Sequence, residues 1–179
     1  LMAIVGILRR GAGDPTFRRD PDGTLWRGTR TPDGPASLRL RARPDLASVE
    51  ATAWGAGAAW VLDSVPAMLG ADDDAEGFVA HHPQVALAAR RFPGWRVPRT
   101  GRVIEALVPA ILEQKVTGQE AFGSYRTLVR RYGAPAPGEG AAQGLWVPPD
   151  AATWGSLWPS ATTMRKIAGK DLPFNPLEH

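Results

Sequence analysis

Residues 24–54 alternate between apolar and polar positions with a partial period of two. Three short runs carry the pattern: Thr24–Thr31, Ala36–Ala42 and Leu46–Trp54. Asp33-Gly34-Pro35 separates the first two and Arg43-Pro44-Asp45 the last two, and both are turn-forming sequences. Leu38, Leu40 and Ala42 share one face of the middle run while Arg39, Arg41 and Arg43 share the other. The pattern predicts an antiparallel sheet with one buried face and one solvated, basic face.

From Ala58 the period changes. Ala58, Val61, Leu62, Val65, Met68 and Leu69 recur at helical spacing, and Gly70 is a fitting stop. Pro83 suits the first position of another helix running to about Arg91, with His81 and His82 at its entry. Arg90–Arg102 reads as a loop rich in arginine, with proline and glycine. Val103, Leu107 and Ile111 then form one row, and Ile104, Val108 and Leu112 the next. So broad an apolar stripe predicts a deeply buried helix, kinked or restarted at Pro109. It ends in Glu113-Gln114-Lys115-Val116. Thr117 and Glu120 have the spacing of a capping box for the next helix. That helix carries Ala121, Phe122, Tyr125, Leu128, Val129 and Tyr132 on one face. Arg130 and Arg131 suit its C-terminal dipole, and Gly133 its cap. The two helices with their polar turn make an αα-hairpin.

Beyond it, Ala134–Gln143 reads as a low-complexity loop and Gly144–Pro148 as extended chain. Pro149-Asp150 can open a short helix, and Thr162–Lys170 a short basic one. The expected fold class is α+β. An N-terminal antiparallel sheet with helices spans residues 1–75, and a helical unit spans 76–170. Residues 171–179 form a tail, and its final Leu-Glu-His reads as the start of a vector-encoded tag.

Composition narrows the chemistry. The chain has 179 residues and no cysteine, which removes disulfides, thiolate metal sites and a Cys nucleophile. Its three histidines, two adjacent and one terminal, offer no metal set. Asp72-Asp73-Asp74 lacks the alternate spacing and glycine of a calcium loop. Gly11-Ala12-Gly13 lacks the third glycine of a dinucleotide turn, and Ser64, Ser124 and Ser156 lack a nucleophile-elbow context. No cofactor or metal is expected. No apolar run approaches the length of a membrane span, so no membrane partner is expected. Apolar Leu1–Leu8 precedes Arg9-Arg10, the reverse of a secretory signal, so a cytoplasmic protein is expected.

Lys plus Arg total 21 against 18 acids, giving a net charge of +3. Only Lys115, Lys166 and Lys170 are lysines, so 21 − 3 leaves 18 arginines. Guanidinium binds two phosphate oxygens at once, which points toward nucleic acid. A GC-rich coding bias produces the same Ala, Gly, Pro and Arg enrichment, and composition does not separate the two.

Residues 97–133, VPRTGRVIEALVPAILEQKVTGQEAFGSYRTLVRRYG, resemble the helix pair that opens the catalytic domain of the helix-hairpin-helix DNA glycosylases. The likeness is strongest to the bacterial 3-methyladenine DNA glycosylase II group. It rests on Pro93-Gly94-Trp95-Arg96-Val97-Pro98, Ala110-Ile111-Leu112-Glu113-Gln114 and Tyr132-Gly133. Gly144–Pro148 resembles that family's extended connection, and the β-rich start resembles its N-terminal domain. The resemblance implies base-excision repair of alkylated DNA by flipping a damaged nucleotide out of the duplex. It implies a monomer bound to double-stranded DNA, non-specific or damaged, and located at the nucleoid when bound. It places Gln114, Lys115 and Val116 at the turn that wedges into the opened stack; Thr117 beside that turn, and Arg96, Arg99 and Arg102 of the basic loop, are the further DNA contacts expected. Lys115 stands where related enzymes carry a bulky apolar wedge. Its methylenes can fill space and its ammonium can meet phosphate, or it is only an exposed lysine at a helix end.

The family's phosphate-gripping hairpin and the aspartate that follows it have no match here. Leu172-Pro173-Phe174-Asn175 keeps only the first two letters, and Asp171 precedes it. No catalytic residue is carried over. The expectation is a glycosylase-like protein inactive as the chain stands, because its catalytic half is missing. A non-catalytic DNA-binding or interaction module on that scaffold, or a globular remnant with no DNA role, stands beside it.

Overall fold

A computed structural model describes residues 1–75 and 77–157. The expected helix at 162–170, the 171–179 tail and the Leu172–Asn175 partial motif lie outside the described residues. A short helix α1 (Met2–Val5) leads into a four-stranded antiparallel sheet of order β1-β2-β3-β4. The strands are β1 (Phe17–Arg19), β2 (Leu25–Thr31), β3 (Gly34–Arg43) and β4 (Ser48–Trp54). The three longer strands match the alternating runs to within two residues at each end. The β2–β3 connection is tight because the Thr31 hydroxyl donates to the Gly34 carbonyl at 2.9 Å and accepts the Asp33 N–H at 3.1 Å. Gly34 sits at φ +124°, open to glycine and costly for other residues.

The lower face of the sheet buries Phe17, Leu25, Ala36, Leu38 and Leu40 against Val61, Val65 and Met68 of α2 (Ala58–Met68). Gly70, at φ +87°, follows α2. The upper face differs from the expected solvated basic face. Trp26 and Trp54 stack there at 5.8 Å, and the Arg39 guanidinium lies 5.7 and 5.5 Å from their ring centres. A second apolar cluster covers them: Ala136, Leu145 and Val147 pack with Trp26. Arg39 also pairs with Glu50 at 3.8 Å and Glu139 at 3.5 Å. Later chain therefore covers this face, and Arg41 stays exposed. Ala42 is exposed as well, although it alternates with the buried leucines.

The covering layer is built from the segment that reads as a loop, 134–143, and from the extended chain that follows it, Gly144–Pro148. It contains β5 (Ala134–Pro135), α6 (Glu139–Ala142) and β6 (Trp146–Val147), with β5 and β6 paired antiparallel. Its register on the sheet is fixed by Trp146 N–H donating to the Pro15 carbonyl at 2.8 Å, and by the Ser37 hydroxyl donating to the Pro137 carbonyl at 2.7 Å. A side chain at Gly28 would collide with the Trp146 carbonyl, so only glycine lets this strand approach so closely. The expected boundary near residue 75 falls in the loop before α3 (Pro83–Arg91), yet chain from both sides of it shares this cluster.

The αα-hairpin is formed by α4 (Val103–Leu112) and α5 (Gly118–Tyr132). Val108, Leu112, Tyr125, Leu128 and Val129 bury together, closed off by Trp154 and Leu157 of α7 (Ala151–Leu157). Asp150 starts α7 by accepting the Thr153 N–H at 2.7 Å. Pro109 lies inside α4 and is itself buried, and the helix runs through it without a restart. The expectation of deep burial holds for one side only. Val103 is 77% exposed and Leu107 44%, because α4 rests its Val108–Leu112 face on α5 and α7 and turns its opposite row outward. Among the described residues no helix is long and apolar enough to cross a membrane.

Candidate nucleic-acid interface

Gln114, Lys115, Val116 and Thr117 come together in one exposed turn between α4 and α5. The side chains of Gln114, Lys115 and Thr117 are exposed and that of Val116 is half-buried. Lys115 adopts φ +55°, a left-handed conformation that lets so short a link reverse the chain. Thr117 accepts the Glu120 N–H at 3.4 Å, and the Glu120 carboxylate accepts the Thr117 N–H at 3.0 Å. That is the expected capping box, and it fixes where α5 begins. Lys115 makes no ion pair among the described residues. The turn leans on the N-terminal segment: Arg10 reaches Glu113 at 3.7 Å, and the Phe122 ring closes over Gly11.

The arginine loop lies elsewhere, along α2. Arg99 N–H donates to the Ala67 carbonyl at 3.2 Å, and the Arg96 side chain packs on Gly70. Arg96 turns its guanidinium back on the Pro93 and Trp95 carbonyls, at 3.0 and 2.8 Å. Arg99 pairs with Asp72 at 3.2 Å, both largely exposed. Arg102 precedes the first residue of α4, without a side-chain capping bond, and its guanidinium lies over Trp60 at 5.8 Å. Arg102 and Lys115 thus stand beyond opposite ends of α4, a ten-residue helix about 15 Å long. The seven candidate residues form two separate basic elements, and Arg99 already has a carboxylate partner.

One buried polar group behind the hairpin is not singled out by sequence pattern. The Glu105 side chain, 8% exposed, faces β2 from the first turn of α4. It accepts from Arg27 Nη2 at 2.5 Å, Thr29 Oγ1 at 2.6 Å and the Arg30 N–H at 3.0 Å. Arg30 also donates to the Pro148 carbonyl at 3.1 Å. A trace of this was present in the pattern: residues 105, 108 and 112 share a helix face, so an acid stands in line with two core residues. Nearby, the buried Asp14 carboxylate accepts from the Arg10 N–H at 2.7 Å and from the Thr16 N–H and hydroxyl at 2.8 Å. Tyr125 is buried beside both acids. Burial pushes its hydroxyl well above the usual tyrosine range, and the Asp14 and Glu105 charges add to the effect, while a hydrogen bond shared with Thr16 opposes it.

A cleft of about 650 Å³ lies between α3 and the chain around it, with Phe78, Val85, Phe92 and Trp95 in its walls and Asp74 and Arg96 at its edge. No helix residue of α3 is buried. Among the described residues no group of His, Asp or Glu could hold a metal ion. No protein-family model matches this chain, and no curated protein matches it.

Proposed function

We propose that this protein binds duplex DNA and grips distorted or damaged duplex through the α4–α5 turn, on a scaffold like that of the 3-methyladenine DNA glycosylase II group. The observation that carries the reading is Lys115. A long cation occupies a left-handed position at an exposed tip, where glycine or asparagine would sit without strain. Backbone strain of this kind gathers at functional positions. Its ammonium has no carboxylate partner among the described residues and is available to a phosphate or an opened base stack. Arg102, at the other end of α4, and Arg96, on the loop beside α2, are also without an ion pair among the described residues and form a second, separate basic element. In this reading the protein acts as a monomer in the cytoplasm, at the nucleoid when bound, in the repair of alkylated DNA. It assigns no catalytic residue and no cofactor.

Titration of a labelled intact duplex and a matched duplex with one abasic site tests the reading. The intact duplex should bind with a dissociation constant of roughly 10⁻⁴–10⁻⁶ M at physiological salt, weakening steeply as salt rises. Lys115→Ala should weaken the abasic duplex more than the intact one, because wedging matters where the stack is already open. Equal weakening of both, with the salt slope lowered by about one, would make Lys115 a phosphate contact only. Binding absent at low salt, or indifferent to salt, would reject the reading.

A further inference from the structure

We infer that Glu105 is a positioning residue for the α4–α5 turn: it fixes the pose of α4 on the sheet and so aims Lys115. The inference rests on the DNA-binding reading above. The apolar contacts of α4 are one-sided, through Val108, Pro109 and Leu112 with Ile104 packed at their edge, while Val103 and Leu107 face outward. Such packing resists separation more than it fixes rotation or sliding of a short helix, because the hydrophobic effect is not directional. Hydrogen bonds are directional. Glu105 concentrates three of them, all from β2, on one carboxylate in the first turn of α4. Arg27, its ion-pair partner, is itself nearly buried.

The lever arm runs the length of the helix. Glu105 lies near one end of α4 and Lys115 just beyond the other, so a tilt of about 10° at Glu105 would carry the tip by roughly 3 Å over a 15 Å helix. A flexible ammonium reaching for phosphate tolerates that shift. A side chain entering a gap between base pairs does not. Glu105 should therefore govern the preference for opened duplex and leave general duplex affinity almost unchanged. A further tie just past α4, Arg10–Glu113 at 3.7 Å, is partly exposed and contributes little direction.

The test compares the ratio of abasic to intact duplex affinity across the 179-residue chain and its variants, with folding checked by circular dichroism. Glu105→Gln should lower the ratio by about tenfold, the scale of losing a charged hydrogen bond, with the intact-duplex constant and salt slope nearly unchanged. Thr29→Val keeps the shape and removes one donor, so it should lower the ratio by about threefold. It decides the matter if Glu105→Gln does not fold. Glu113→Gln should leave the ratio unchanged. A role in stability alone would weaken both duplexes together through the unfolded fraction. An unchanged ratio in a folded Glu105→Gln or Thr29→Val protein, where Lys115→Ala still lowers it, overturns this inference and leaves the DNA reading standing. A wild-type protein with no duplex binding sinks both.

Discussion

Lys115 concentrates a conflict between stability and use. For an L-residue the left-handed conformation costs roughly 1–2 kcal/mol, and glycine escapes most of that at the expense of a more flexible unfolded chain. Lys115→Gly should therefore stabilise the fold by about 0.5–1 kcal/mol while weakening the abasic duplex. Urea denaturation and the duplex titration read the two effects separately. A destabilised Lys115→Gly protein would mean that the lysine stem is needed for packing, and the strain argument for function would lose its ground. The type and the exposure of this residue were legible from its place between an apolar row and a capping box. Its positive φ was not, because that depends on how few residues must reverse the chain.

Among the elements, the capping box shows what local chemistry can specify. Thr117 and Glu120 exchange hydrogen bonds across one turn, and nothing distant is needed to form them. Thr117→Ala should cost about 1 kcal/mol, seen as a lower urea midpoint with unchanged slope. No loss would mean that tertiary packing alone fixes the start of α5. The strands β2, β3 and β4 and the helices α2 to α5 were likewise readable, since each writes its period into adjacent residues. In the stretch 134–147 the extended chain that holds β6 was readable, whereas β5 and α6, within the part that reads as a loop, were not. Its strands have two residues each, too short for alternation to register, and β5 is held by pairing with β6 and packing on Trp26. The burial of α4 was overstated for a related reason: two apolar rows give the width of a stripe but not how many neighbours cover it.

For the whole molecule, Tyr125 links stability to pH. Its hydroxyl is buried between the sheet side, with Asp14 and Thr16, and the hairpin side, with Glu105. The folded-state pKa lies above the unfolded value near 10.0. Below that value both states keep the proton, and the native state bears no penalty. As pH climbs past it the unfolded chain ionises while the native one resists, so stability falls. Denaturation midpoints should drop steeply above about pH 10 in the wild type, and Tyr125→Phe should flatten that decline. Identical alkaline profiles for the two proteins would show that Tyr125 is not the group responsible.

The sequence by itself determined the elements and the excluded chemistries. Alternation, helical period, caps and turn residues act within a few positions of the chain, and the absence of cysteine needs no fold to be decisive. Which charges remain available was decided by tertiary structure. Arg27 is neutralised by Glu105, 78 residues away, Arg99 stands beside Asp72 in an exposed pair, and Arg39 is enclosed by two tryptophans and Glu139. On the sequence these arginines look alike. Coulomb attraction and desolvation act over a few ångströms of space, and only folding brings residues so far apart in the chain within that distance.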